Sequence, residues 1–193
     1  MILAEGGQAP MNLPNVISLA RLLAAPLGIW LIIDQDMTGA FVLFVLAGLS
    51  DAVDGFIAKH FDQRSELGAL LDPIADKTLI VGMTVTLGFA GYLPNWVVIL
   101  VVFRDMLIVG GFLVGLTLAR PMQWQPLAIS KLNTVLQIVL IGLVLGRSAL
   151  GVDDHGATGL LADAVGITTV VSGAIYLVRW MRAFAGNTGG TRA

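Results

Sequence analysis

Four of the five aspartates between residues 51 and 76 are the part of this sequence best suited to chemistry. They are Asp51, Asp54, Asp72 and Asp76, and they lie inside or beside segments of almost continuous apolar character. Charged side chains at membrane depth are costly, and those that occur there usually bind ions or substrates. Residues three or four apart on a helix share a face. The aspartates therefore form two same-face pairs, one in each of two consecutive apolar segments.

The two pairs are expected to meet. If the polar segment 60–67 turns the chain back, the two helices run antiparallel and four carboxylates converge at one end of them. Ionised carboxylates crowded near hydrocarbon repel one another unless cations are bound. Oxygen ligands without histidine or cysteine favour Mg²⁺ or Mn²⁺ over Zn²⁺. Two such ions, roughly 3.5 to 4 Å apart, are typical of enzymes that displace a phosphoryl group in line.

Residues beside the aspartates fit a phosphate-bearing ligand. Gly55 and Gly68 have no side chain, so a bulky phosphate ester can approach the backbone. Lys59 adds a positive charge for phosphate. The alternative is that the acids only pair with nearby basic residues in a solvated loop. That alternative suits Asp62 and Glu66, but two same-face pairs flanked by glycine within apolar helices exceed what solvation requires.

The composition is that of an integral membrane protein. Of its 193 residues, 56% are hydrophobic and only 12% are charged, and the mean hydropathy is +0.87, too apolar for an ordinary soluble domain. The net charge of −2 and the scattered basic residues argue against nucleic acid as a partner. Cysteine is absent, which excludes disulfides, thiolate metal sites and cysteine nucleophiles.

Six apolar runs are long enough to cross a bilayer, which takes roughly 20 helical residues. Their continuous apolar character favours helices over the alternating strands of a barrel. The predicted spans are 15–33, 39–58, 68–89, 95–118, 130–150 and 158–181. The predicted fold is therefore all-α, a single membrane bundle of about six helices in one domain, 12–184, between flexible segments 1–11 and 185–193.

Basic residues predict the orientation through the positive-inside rule. Among the short loops of one side, only Arg147 is basic. The polar regions of the other side carry Lys59, Arg64, Arg120, Lys131, Arg179, Arg182 and Arg192. Both termini and the aspartate-rich segment are therefore expected to face the cytoplasm, with a bacterial inner membrane as the expected location.

The segment 51–76 resembles the signature of the CDP-alcohol phosphotransferase family, D-x2-D-G-x2-A-R-x8-G-x3-D-x3-D. Every spacing is kept, and the one departure is Lys59 at the family's arginine, which retains the charge but not the planar fork that grips phosphate through two bonds. Members of the family transfer a phosphatidyl or related group from a CDP-linked donor to an alcohol and release CMP. They are generally homodimers.

The resemblance implies a role for each matched position. The four aspartates would hold two divalent cations, Mg²⁺ or Mn²⁺. Asp76 and Asp72 would be catalytic, with Asp76 as general base for the acceptor hydroxyl. The residues that would border the CDP group are Asp51, Gly55, Ala58, Lys59 and Gly68. The implied partners are CDP-diacylglycerol, a phosphate-bearing alcohol, membrane lipids and a second copy of the chain.

Two branches of the family compete over the acceptor. Segments 12–21 and 67–77 resemble both the phosphatidylglycerophosphate synthases, which use glycerol 3-phosphate, and the mitochondrial-type cardiolipin synthases, which use phosphatidylglycerol. Phe-Arg-Asp at 103–105 and ISKLNTVLQ at 129–137 are more similar to the cardiolipin synthase pattern. The other branch more often has Arg-Glu and Gly-Lys-x-Lys-Thr at these places, so phosphatidylglycerol is the favoured acceptor.

Either acceptor carries a phosphate that needs basic partners near the aspartates. Arg104, Lys131 and Arg21 are the candidates. Each has an alternative role. Arg104 can pair only with Asp105, Lys131 can extend to the membrane surface from the start of a helix, and Arg21 can reach the headgroups instead of pointing into the bundle.

A cation transporter is the competing function from another class, since aspartates within membranes also mark ion pathways. It predicts acidic residues at the bilayer midplane, repeated in both halves of the chain. Here the acids cluster at one end and the second half has no matching set. A purely structural membrane scaffold would tolerate the loss of all four aspartates. The aspartate pattern favours the enzyme over both.

Overall fold

The computed structural model describes the backbone of residues 13–61, 66–117 and 128–185, and the side chains of 19–50, 77–111 and 128–182. Within those ranges the chain forms six α-helices and no strand. They are α1 (Leu13–Ile33), α2 (Met37–Phe61), α3 (Glu66–Phe89), α4 (Asn95–Thr117), α5 (Ala128–Leu150) and α6 (Ala157–Ala185). The predicted all-α class is confirmed, and each helix covers its predicted apolar run to within a few residues. The chain ends, for which flexibility and a cytoplasmic location were expected, lie almost entirely outside the described residues.

Three of the turns between helices satisfy the last carbonyl groups of a helix in the same way. One residue just past the end of α1, α3 and α5 takes a left-handed conformation: Gln35 (φ 64°), Gly91 (φ 81°) and Gly151 (φ 62°). The amide that follows then donates to the carbonyl five residues back, at 2.9 to 3.0 Å, as in a Schellman motif. Each turn thus supplies the hydrogen-bond donors for the last carbonyl groups of its helix, so the next helix can begin within a few residues.

Aspartates precede two of the helices that follow these turns. Asp36 Oδ1 accepts a hydrogen bond from the Gly39 amide at 2.9 Å and so caps α2. Asp154, before α6, accepts from the Thr158 hydroxyl and from the Thr158 and Gly156 amides, at 2.9 and 3.2 Å. These hydrogen bonds, that of the Thr158 hydroxyl first, hold the pKa of Asp154 below its usual 3.8.

The chain divides into two units, Met1–Met83 and Thr84–Ala193. In the first unit, glycines bring α1 close to its neighbours. A Cβ atom at Gly28 would lie only 3.2 Å from Leu43 Cδ2 of α2 and 2.5 Å from Met83 Cε of α3. Small residues allow helices to approach in this manner in an apolar environment. The buried apolar residues of α1 and α2 are Ala25, Ile32, Met37, Ala40, Phe44 and Ala47.

In the second unit, α6 packs against both α4 and α5. The Trp96 ring of α4 lies against Gly166 of α6, and the Trp180 ring of α6 lies against Gly111 of α4. Because these residue numbers rise together along both helices, α4 and α6 run parallel. Helix α5 is joined to α6 by a short turn and runs antiparallel to it. The aliphatic core of this unit contains Val97, Val101, Leu140, Ile141, Val144, Leu145 and Val165.

Two helices in the described part of the chain are long and apolar enough to cross a membrane by length and composition, Ala128–Leu150 and Ala157–Arg182. Large apolar side chains are exposed along α6, among them Leu160, Ile167 and Val170, as expected for a lipid-facing surface. The described parts of α1, α2 and α3 form shorter apolar stretches. Six helices are present in the described ranges, and six membrane crossings stay a prediction.

The left-handed turn at Gly91 provides a test of this fold. Gly91→Ala is expected to lower the free energy of unfolding by about 1 kcal/mol, because an alanine Cβ disfavours that conformation. The control is Gly48→Ala in α2, where a Cβ meets nothing within 4 Å and helix propensity favours alanine. Denaturant unfolding in detergent measures both variants, and an equal loss in both would contradict the role of the turn.

Asp154 predicts a pH-dependent contribution to stability. Since its pKa is lowered in the folded state, the contribution is present above the unfolded pKa and disappears as the pH falls through the folded pKa. Asp154→Asn is therefore expected to lower the melting temperature at about pH 7, with the difference from wild type closing below about pH 4. Asp153→Asn, at an exposed neighbour, is the control. A difference for Asp154→Asn that stays constant down to about pH 3 would disprove the linkage.

Candidate active site

The four motif aspartates lie on two consecutive helices. Asp51 and Asp54 are on α2, and Asp72 and Asp76 are on α3. The helical backbone confirms the premise on which each pair shares a face. Their side chains lie outside the described residues, as do the side chains of the other matched positions. The convergence of the two pairs therefore stays a prediction.

The donor set at these positions suits hard divalent cations. Four carboxylates on two helices offer only oxygen, which Mg²⁺ and Mn²⁺ prefer. Among residues 19–50, 77–111 and 128–182, no group of three or more His, Cys, Asp or Glu side chains is placed to hold a metal ion. The motif aspartates fall outside those ranges and remain the candidate ligands.

Arg104 on α4, one of the three predicted phosphate ligands, is buried within a hydrogen-bond network. It is 2% exposed and its neighbour Asp105 is 5% exposed. Arg104 Nη1 donates to Asp105 Oδ1 at 2.6 Å, so the internal pairing named as its alternative role is present. Nη2 donates to the Ser172 hydroxyl of α6 at 3.2 Å and to the Ser130 hydroxyl of α5. One buried guanidinium thus joins three helices.

The other two predicted cations have contrasting surroundings. Lys131 follows Ser130 in the first turn of α5 and is exposed, as expected for a lysine that extends toward a membrane surface. Arg21 on α1 is 2% exposed, so its side chain is packed against protein and does not extend outward. Lys131 is the sequence neighbour of Ser130, whose hydroxyl accepts a hydrogen bond from Arg104. Arg21 belongs to the other unit.

Sequence reasoning did not identify a line of polar residues on one face of α5. This polar seam consists of Ser130, Asn133 and Gln137, of which the last two are buried. Asn133 Oδ1 accepts hydrogen bonds from the hydroxyls of Thr168 and Thr169 on α6, at 2.8 and 2.9 Å. The seam spaces its members three and four residues apart in an otherwise apolar run, and that period is the signal that predicts a polar contact between helices.

A comparison with known families extends the resemblance from one segment to most of the chain. The model of the CDP-alcohol phosphatidyltransferases matches residues 11–180. The chain belongs to the CDP-alcohol phosphatidyltransferase family. The match includes α2 and α3 with their aspartates, and also the buried Arg104 and the polar seam of the second unit.

Members of the family similar to this chain include proteins from both branches. A Schizosaccharomyces pombe cardiolipin synthase (CMP-forming) / mitochondrial hydrolase fusion protein is 37% identical over 86% of this chain and 31% of its own length. Human cardiolipin synthase (CMP-forming) is 36% identical over 86% of this chain and 61% of its own. A probable phosphatidylglycerophosphate synthase of Mycobacterium tuberculosis is 31% identical over 91% and 84%. The chain thus spans less than two thirds of these two cardiolipin synthases.

Proposed function

We propose that this chain transfers a phosphatidyl group from CDP-diacylglycerol to an alcohol and releases CMP. The observation that carries the proposal is the complete spacing of the aspartate motif on α2 and α3 in a chain of this family. Family membership also supports a transferase over a cation transporter. The proposed setting is the cytoplasmic face of a membrane, with the chain acting as a homodimer.

The reaction exchanges one phosphate ester bond for another. The hydroxyl oxygen of the acceptor attacks the phosphorus of the phosphatidyl group and forms a new P–O bond. The bond between that phosphorus and the bridging oxygen of the diphosphate breaks, and CMP leaves with its electron pair. Asp76 is the proposed general base that takes the hydroxyl proton, and Asp72 lies one helical turn before it.

The motif residues divide between the cations and the nucleotide. The proposed ligands of two Mg²⁺ or Mn²⁺ ions are Asp51, Asp54, Asp72 and Asp76. When bound, such ions supply positive charge beside the diphosphate of the donor. The residues proposed to border the CDP group are Asp51, Gly55, Ala58, Lys59 and Gly68. Lys59 serves here as a point charge.

Phosphatidylglycerol is the proposed acceptor, which would make the protein a cardiolipin synthase. The pattern at 103–105 and 129–137 supports this choice, and so do relatives of that name at 36 and 37% identity. Glycerol 3-phosphate is the second candidate, favoured by the mycobacterial relative, which is matched over 84% of its own length. The proposed ligands of the acceptor phosphate are Arg104, Lys131 and Arg21.

The base assignment predicts a sharp difference between two conservative changes. Asp76→Asn is expected to lower turnover at least about 100-fold, because an amide cannot take the hydroxyl proton. Lys59→Arg keeps the positive charge and is expected to remain active. Release of CMP by purified protein with CDP-diacylglycerol and Mn²⁺ measures both, with Asp153→Asn as a control for the loss of a carboxylate outside the motif. Wild-type turnover in Asp76→Asn would exclude Asp76 as the base.

The choice of acceptor is decided by the lipid product. Purified protein is given CDP-diacylglycerol with Mg²⁺ or Mn²⁺, and either phosphatidylglycerol or glycerol 3-phosphate. The expected product is cardiolipin, formed only with phosphatidylglycerol and identified by its mass. Phosphatidylglycerophosphate as the sole product would replace the proposed acceptor while leaving the transfer reaction in place.

A further inference from the structure

Arg104 is held more firmly than charge neutralisation requires. Asp105 alone balances its charge, through a contact of 2.6 Å. The hydroxyls of Ser130 and Ser172 add hydrogen bonds from two other helices. A hydroxyl adds no countercharge, but it fixes the direction in which a planar guanidinium points.

The register between α5 and α6 places these hydroxyls around one guanidinium. Asn133 binds Thr168 and Thr169, about one turn from Ser130 on α5 and from Ser172 on α6. On the α6 side, a Cβ added at Gly173 would lie 3.8 Å from Arg104 Cγ. The stem of Arg104 therefore lies along α6 beside Ser172, which has no exposed surface.

The guanidinium retains a donor that no described residue of the chain accepts from. Arg104 Nε is buried and has no hydrogen-bond partner among residues 19–50, 77–111 and 128–182, whereas Nη1 and Nη2 both donate hydrogen bonds. A buried donor without a partner is unusual in a folded protein and needs an explanation. A phosphate oxygen is an acceptor that a fixed guanidinium binds well.

We propose that Ser130 and Ser172, with Asp105, are positioning residues that hold the Arg104 guanidinium for the phosphate of the acceptor alcohol. The inference rests on the proposed function. Arg104 would contact the acceptor, and the serines act through Arg104. Removal of a hydroxyl frees the guanidinium to rotate, which weakens acceptor binding and leaves the donor site unchanged.

Ser172→Ala and Ser130→Ala test this role through the two Michaelis constants. Each is expected to raise KM for phosphatidylglycerol roughly tenfold, the loss typical of a hydrogen bond to a charged group. KM for CDP-diacylglycerol is expected to stay within about twofold of wild type. Ser130→Thr restores a hydroxyl at a half-buried position and is expected to rescue the acceptor KM. Glycerol 3-phosphate is assayed in parallel with every variant.

Thr169→Val is the matched control. It removes a buried hydroxyl from the same face of α6, three residues before Ser172, that bonds Asn133 at 2.9 Å. Thr169→Val is expected to lower the melting temperature about as much as Ser172→Ala does and to leave the acceptor KM unchanged. This result would separate an effect on the position of Arg104 from an effect on stability. An Arg104→Lys background keeps the positive charge but not the planar guanidinium. In that background Ser172→Ala is expected to raise the acceptor KM little further.

The outcomes distinguish the two proposals. The positioning role would be overturned if the wild type is active and both serine variants have the wild-type KM for the acceptor. It would also be overturned if they raise the KM for CDP-diacylglycerol as much as the KM for the acceptor. The proposed transfer reaction would stand in either case. The positioning role would also be overturned if the effects of Ser172→Ala and Arg104→Lys on the acceptor KM were fully additive. A folded wild type that transfers to neither acceptor would refute the proposed function, and the positioning role with it.

Discussion

The Arg104–Asp105 ion pair is the interaction on which the arrangement of α4, α5 and α6 depends. Taking two charges out of water is costly, and their attraction compensates only when the geometry is good and other hydrogen bonds satisfy the remaining donors. Ser130 and Ser172 supply such hydrogen bonds from the neighbouring helices. A shift of either helix by one residue would leave a buried cation with fewer partners, so the pair and the helix register constrain each other.

Close approach of the helix backbones is the second constraint. Helices as apolar as these gain little from hydrophobic association in a lipid environment, where packing and hydrogen bonds between helices take over. Gly28 in the first unit and Gly111 in the second leave space that Met83 and Trp180 fill. Asn133 adds hydrogen bonds between helices where an apolar contact would not specify a register.

The sequence alone was sufficient for the helices and their ends. An apolar segment must satisfy its backbone hydrogen bonds internally, which makes it helical, and it stops where polar, glycine or proline residues allow a turn. Gly91 before Pro94 and Gly151 before Asp154 are such places, and α3 and α5 end at the predicted residues. The aspartate motif likewise identified the family from spacing within one segment, since three- and four-residue intervals on a helix need no tertiary information.

The features that follow from the amino-acid sequence are therefore local: six helices, their turns, and the positions of the carboxylates along α2 and α3. Which polar residues contact one another follows from the packing of the helices. Arg104 and Ser172 are 68 residues apart, and neither apolar periodicity nor helix propensity indicates that they touch. The reason is physical, because a helical pattern shows which face is polar but not which helix covers it. Which helix covers that face depends on how the side chains of all three helices pack together.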